Sequence, residues 1–429
     1  MTVIERWQSE IERPTEGFFA AFAACLGEPD GLRDAVREAV KALVPRIDWE
    51  AYLPHVPHGI LGLRAVFRLR PLLESGSFHR MLAIQLHMAA HEGRRAVPLT
   101  AAAGSGSWRN LEDFIRARRP GLAYAEAQGF EAPGPEDFRC LGALVAPDMA
   151  NVGHKAVLAD HLGDLLEVLD QPKATGRRLF GLAAWLAATP EDTFWHRRAT
   201  ARLEGVGLCL PEGAGAAEVG ALQPLVREVC DLGLVELLDR LTARMKAGLS
   251  LADMRAGLVL AASEKLLDAR RDLEGKTAWT FVYLATLTRT GATDPRLWAQ
   301  AAAMANLFPT DEPEDRVTPR PPTGPATVEA LLEAVLDAEV PEAMGQAEVL
   351  VRAGQAEAVL RTLAEVAIRN DPSFNHAHQS LAVAAAADLV SVLPAFAREA
   401  LLVALAKNLA NSQGSGDLGH RAEQALAQA

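Results

Sequence analysis

Apolar residues recur every three or four positions along nearly all of this 429-residue chain, and β-branched alternation is almost absent. That period puts the apolar side chains on one face of an α-helix, whereas a half-buried strand needs a period of two. Leu32, Val36, Val40 and Leu43 mark such a face in Asp30–Leu43. Phe78, Met81, Leu82, Leu86 and Ala89 mark another in Ser77–His91, and Leu158, Leu162, Leu165, Leu166 and Leu169 a third. Phe180–Leu186, Leu222–Leu241, Leu251–Leu267, Trp279–Leu287, Val328–Leu336 and Ala356–Ile368 continue the series. Asp192, Ser250, Asp294 and Asp371 are placed to cap first turns, and Pro295 and Pro372 occupy the favoured first helical position. The expectation is an all-α protein, a large multi-helix bundle or helical array of about twenty helices.

Two breaks stand out. Gly205–Gly215 reads as a plain loop, and Thr310–Ala326, with five prolines and no apolar period, as an extended connector. The chain is therefore expected to divide into a main body (1–309), a connector (310–326) and a C-terminal helical segment (327–429) packing on the body as one functional unit. With 49% hydrophobic residues the chain has ample material for a core. A net charge of -12 argues against nucleic acid as a partner. No apolar run approaches the length of a membrane span, and the first residues lack the apolar stretch of a secretory signal. Cys25, Cys140, Cys209 and Cys230 lie far apart and read as free thiols. A cytoplasmic protein is expected, with no membrane partner; oligomeric state is not legible.

The familiar nucleotide, hydrolase and zinc-protease motifs are absent, so no nucleotide cofactor is expected. AAAGSGSW, near Gly104, lacks a preceding strand and reads as a loop rather than a phosphate cradle. Histidine is what remains: imidazole is the commonest ligand of borderline metals and titrates near neutrality. His87 and His91 share a helix face, but Arg94 and Arg95 one turn on suggest that this face is solvated. His55 and His58 lie in a stretch that Pro54 and Pro57 keep extended, so His58 opens the next helix. His154 and His161 are two turns apart, too far for both to hold one ion unaided. His376 and His378 follow a helix start at Asp371–Pro372, on opposite faces, before the small-residue run AVAAAAD.

Three of these stretches, PHGILGLRAVFRLRPLL, NVGHKAVLADHLGDLLEVL and NHAHQSLAVAAAADLV, occur in the order of the histidine motifs of questin oxidase-like proteins and resemble them. TAWTFVYLATLTRTGATDP is similar to a fourth region of that family. The resemblance spans most of the chain. It implies oxygen-dependent oxidation or ring cleavage of an aromatic, anthraquinone-type polyketide at non-haem Fe(II) held by histidines and a modified lysine. Carried over residue by residue, it implies His58, His154 and His376 as metal ligands, and Tyr283, His378 and Gln379 as the side chains meeting substrate. The chain departs from the family pattern at Ala65 and Tyr283, where the family has histidine, and at Gln379, where it has lysine.

Three readings stay open at this level. One is a metal oxidoreductase whose partners are an aromatic small molecule and molecular oxygen, acting in a pocket of several hundred Å³. The second is a metal-free relative that binds a small molecule in an apolar pocket. The third is a helical scaffold for protein partners, with its histidines dispersed.

Overall fold

The computed structural model describes residues 1–44, 57–93, 102–169, 173–189, 201–203, 207–213, 215–216, 218–269, 276–307, 316–369, 377–412 and 417–428. His55, His376, Asp192, Asp371, Pro372, Arg94, Arg95 and residues 310–315 of the proline-rich connector lie outside the described residues. Among the described residues the secondary structure is helical, without strands.

The N-terminal half runs through α1 (Val3–Glu12), α2 (Phe18–Leu26), α3 (Gly31–Leu43), α4 (His58–Leu69) and α5 (Ser75–Gly93). It continues through α6 (Trp108–Arg116), α7 (Pro120–Gln128), α8 (Pro135–Val145), α9 (His154–Leu169) and α10 (Lys173–Ala187). Then follow α11 (Gln223–Asp231), α12 (Leu234–Lys246), α13 (Leu251–Asp268), α14 (Lys276–Arg289) and α15 (Pro295–Leu307). The C-terminal part holds α16 (Val328–Leu336), α17 (Val340–Arg352), α18 (Ala356–Ala367), α19 (His378–Leu389), α20 (Ala395–Asn411) and α21 (Leu418–Ala427).

Local chemistry sets several boundaries. The Ser250 hydroxyl accepts the Asp253 amide at 3.0 Å and opens α13. The continuous helix expected over Leu222–Leu241 is broken at Leu232–Gly233, where extended backbone separates α11 from α12. A helix running from Pro372 through both His376 and His378 is also corrected. Ala377 has φ 61, which no residue inside a right-handed helix adopts, so α19 starts at His378 and the opposite-face argument does not apply.

Four helices form the centre. Helix α4 packs on α9 and α19, and α14 closes the ring by packing on α9 and α19. The C-terminal part therefore supplies one wall of the central ring. Small residues let that wall approach: Ala382, Ala384, Ala385 and Ala386 of α19 are buried. On the outer side of α4, Gly59 permits contact with α5, since a Cβ there would stand 2.4 Å from the Ala89 Cα.

An ionic layer ties the four central helices together. Arg64 of α4 pairs with Asp164 of α9 at 2.9 Å and Asp388 of α19 at 2.8 Å. Arg68 also reaches Asp388, at 2.5 Å. Arg289 of α14 pairs with Asp160 and Asp164, and Thr286 donates to Asp160 at 3.2 Å. The side chains of Arg64 and Asp388 are each only 7% exposed. Three arginines face three aspartates across the layer, with Arg64 and Asp388 at its buried centre and Asp164 and Arg68 at its more exposed edge.

Candidate metal centre

Helices α4, α9 and α19 share one unusual property: each begins with a histidine. The backbone enforces this start in each case. Pro57 holds an extended ψ of 105 before His58. Before His154 stand Val152 and Gly153, with φ 53 and 81, and before His378 stands Ala377 in the left-handed region. Positive φ is disfavoured for Val and Ala, so two non-glycine residues are strained where the chain turns into these helices.

The three starts meet. His58 Nε2 is 3.3 Å from His154 Nε2 and 3.0 Å from His378 Nε2. One ligand atom from each ring lies within 4.8 Å of those of the other two. The rings are buried, at 7%, 5% and 9% exposure for His58, His154 and His378. The ionic layer joins the same helices six to ten residues further on, about 9–15 Å along a helix axis. Their histidine ends and their charged stretches both coincide, so the three run side by side in one direction.

The spacing of His58 from each of the other two rings suits a metal ion. Nitrogen ligands about 2.1 Å from one ion stand about 3.0 Å apart at a right angle and about 3.4 Å apart at the tetrahedral angle. The ring chemistry is compatible with it. A neutral imidazole nitrogen offers either one lone pair or one N–H, so His58 Nε2 pairs fully with only one of the two facing nitrogens at a time, whereas a cation among the three could take a lone pair from each. The trio can therefore hold a metal ion, and its geometry leaves the metal's identity open.

The surroundings fix ring positions. Trp279 of α14 stacks on His154 with centroids 3.6 Å apart and planes at 8°, and its indole donates to the Val152 carbonyl at 2.9 Å. It also lies 5.4 Å from the His378 ring. On the other side, the Gln85 amide donates to the carbonyls of His58 and Gly59 at 3.1 and 2.9 Å. Glu92 accepts the Gly59 N–H at 2.7 Å, satisfying one donor of the α4 first turn. Lys155, next to His154, is buried and donates to Asp148 at 2.7 Å and to the Thr189 carbonyl at 2.9 Å, which anchors the start of α9.

The other sequence candidates fall as follows. Tyr283 is fully buried, one helical turn beyond Trp279, and its ring abuts Gly153, where a Cβ would sit 2.6 Å from Tyr283 Cε2. Among the described residues its hydroxyl has no hydrogen-bond partner, and burial pushes the phenol far above its usual range. The Gln379 amide donates to the Ser412 carbonyl at 2.8 Å. His376 lies outside the described residues, and in the described trio the third ring is that of His378. His161 takes no part: it is buried with Nδ1 3.3 Å from the Leu61 carbonyl, and burial, helped by Arg64, drives it down to about 3.

His87 is a correction. It is 8% exposed rather than solvated, packed against Phe18 and Phe19. The glycine-rich loop is also engaged from within, because the Glu126 carboxylate accepts Ser105 Oγ and the Ser107 amide, the latter at 2.7 Å. A surface cleft of about 320 Å³ lies at Leu26, Asp30, Phe67 and Leu169, with no residue of the trio in its lining.

Sequence reasoning missed Trp279, Gln85 and Glu92. The signal for Trp279 was present: it sits four residues before Tyr283, on one helix face, in the segment that carries the resemblance. Gln85 and Glu92 carry no motif, and only their contacts single them out. Comparison with known proteins adds no relative: no family model, no curated protein and no solved structure matches this chain.

Proposed function

We propose that this protein is a metal-dependent oxidoreductase of questin oxidase-like type, oxidising or cleaving an aromatic, anthraquinone-like small molecule with molecular oxygen. The observation that carries the reading is the convergence of His58, His154 and His378, from segments 96 and 320 residues apart, on one buried point. All three lie in the segments that resemble the family's histidine motifs. A scaffold reading expects dispersed histidines, and the trio counts against it.

Three neutral imidazoles with open positions suit non-haem Fe(II), which would supply the redox chemistry toward oxygen. The chain's own residues do the rest. Trp279 and Val152 fix the plane of His154, and Gln85 and Glu92 hold the first turn that carries His58. The positive ends of three helices meet at the trio, which favours an oxygen-rich, electron-rich ligand such as a phenolate or quinone oxygen. Tyr283, kept protonated by burial, is a hydrogen-bond donor rather than a base.

The test is elemental analysis of tag-free protein beside His58→Ala, His154→Ala, His378→Ala and His376→Ala. Stoichiometric iron in the parent, lost in the first three variants, and oxygen uptake on adding hydroxyanthraquinones are the expected results. The His376→Ala arm reports whether that side chain is a further ligand. The metal-free reading draws on Gln379, whose amide serves Ser412 where the family carries its lysine. No metal in well-folded parent protein, with quinone binding retained, would decide for it.

A further inference from the structure

The other histidine pair, His87 and His91 on α5, sits on a different face from the trio. The α5 face toward α4 carries Gln85, Ala89 and Glu92, which contact His58 and Gly59. His87 and His91 point instead toward α2 and α21: His87 meets the edge of Phe18 at 5.1 Å and stacks on Phe19 at 5.2 Å. The two imidazoles are one helical turn apart, and their Nε2 atoms are 3.1 Å from each other.

We propose that His87 and His91 form a second metal site, a two-histidine chelate for an imidazole-preferring divalent ion, Cu(II) above Zn(II) or Ni(II). Three observations carry it. The Nε2 separation of 3.1 Å falls between the right-angle and tetrahedral spacings of two nitrogen ligands on one ion. His87 is locked by its aromatic neighbours, so one ligand is preorganised at no rotamer cost on binding. His91 is exposed, which leaves the remaining coordination positions to water or small anions. Burial, with His91 and Arg421 adding to it, holds His87 down to about 4, so its ring offers a lone pair at neutral pH. The preference for copper follows the general affinity order of nitrogen sites.

Arg421 sets the limit on affinity. Its guanidinium lies 5.7 Å over the opposite partner of the stack, Phe19, and its charge is felt at His87. It opposes a bound cation, so removing that charge is expected to tighten the site, which a merely structural pair would not report.

The experiment is Cu(II) titration of chelator-treated full-length protein, by calorimetry and by the nitrogen hyperfine pattern in electron paramagnetic resonance. The variants are His91→Ala, Arg421→Ala and the triple His58→Ala/His154→Ala/His378→Ala. His91 and Arg421 are not in the core, so their variants are expected to fold. Two ions are expected in the parent and one in His91→Ala, with affinity at the lost site down roughly a hundredfold, the worth of a second ligand at high effective concentration. Arg421→Ala is expected to bind the second ion several-fold more tightly. The triple variant separates this site from the trio: one ion there, showing two-nitrogen coupling, supports the pair whatever becomes of the trio. Equal copper stoichiometry in parent and His91→Ala overturns the proposal, as does a triple variant that binds none.

Discussion

Trp279 is the residue whose loss best separates ring positioning from folding at the trio. It covers His154 face-on and anchors the Val152 carbonyl. Outer partners of metal-bound histidines are typically worth about 10–100-fold in affinity. Trp279→Phe keeps a ring but loses the hydrogen bond, so the metal affinity of the trio is expected to fall by about tenfold with near-parental stability. A competitive chelator titration reads the first and urea unfolding the second; unchanged affinity would remove Trp279 from the site's support. Ala377 offers a complementary test. It holds φ 61 directly before His378, where glycine carries no Cβ penalty. Ala377→Gly is expected to gain up to about 1 kcal/mol in urea unfolding by relieving strain. Gly153→Ala is expected to lose more than that, because φ 81 is compounded by the Tyr283 ring at 2.6 Å.

Among elements, the central helices are coupled at two levels: a histidine layer at the starts of α4, α9 and α19, and, two to three turns on, an arginine–aspartate layer that Arg289 at the far end of α14 also joins. In the second layer Asp388 is held by Arg64 and Arg68. Burial would raise its carboxyl, but Arg64 and Arg289 outweigh that and hold it below the usual carboxylate range. Removing one member of a buried pair leaves an uncompensated charge, at a cost of about 3–5 kcal/mol. Asp388→Asn is therefore expected to unfold at markedly lower urea. The paired change Arg64→Met with Asp388→Leu should cost less than the sum of the single changes, a coupling that a double-mutant cycle measures.

For the whole molecule, pH is the lever. His161 and His87 are buried neutral, with folded values of about 3 and 4 against about 6.5 unfolded. Below pH 6.5 the unfolded chain takes up protons that the folded chain refuses. Stability therefore falls with pH, by about 1.4 kcal/mol per unit for each group, down to the folded values. Asp388 adds a loss further into acid: its stabilisation is complete above about pH 3.9 and disappears as pH falls through its lower folded value. Urea unfolding at pH 7, 6 and 5 in the presence of chelator is expected to show the decline, and His161→Leu is expected to flatten it by one proton. A stability independent of pH over that range would contradict the buried neutral state.

The sequence by itself determined the helical class. A three-to-four-residue apolar period is a local property, and it located α3, α5, α9, α13, α16 and α18 to within a few residues. Pro57 marked His58 as a helix start, and the family resemblance added His154. The tertiary structure alone decided that His378 stands beside them, that His87 is buried, and that Trp279 lies flat on His154. Those outcomes depend on a left-handed residue at Ala377, an aromatic pair on α2 and the closing of a four-helix ring. A linear pattern records which face of a helix is apolar, whereas the meeting of three helix ends from positions 58, 154 and 378 is set by how whole helices pack.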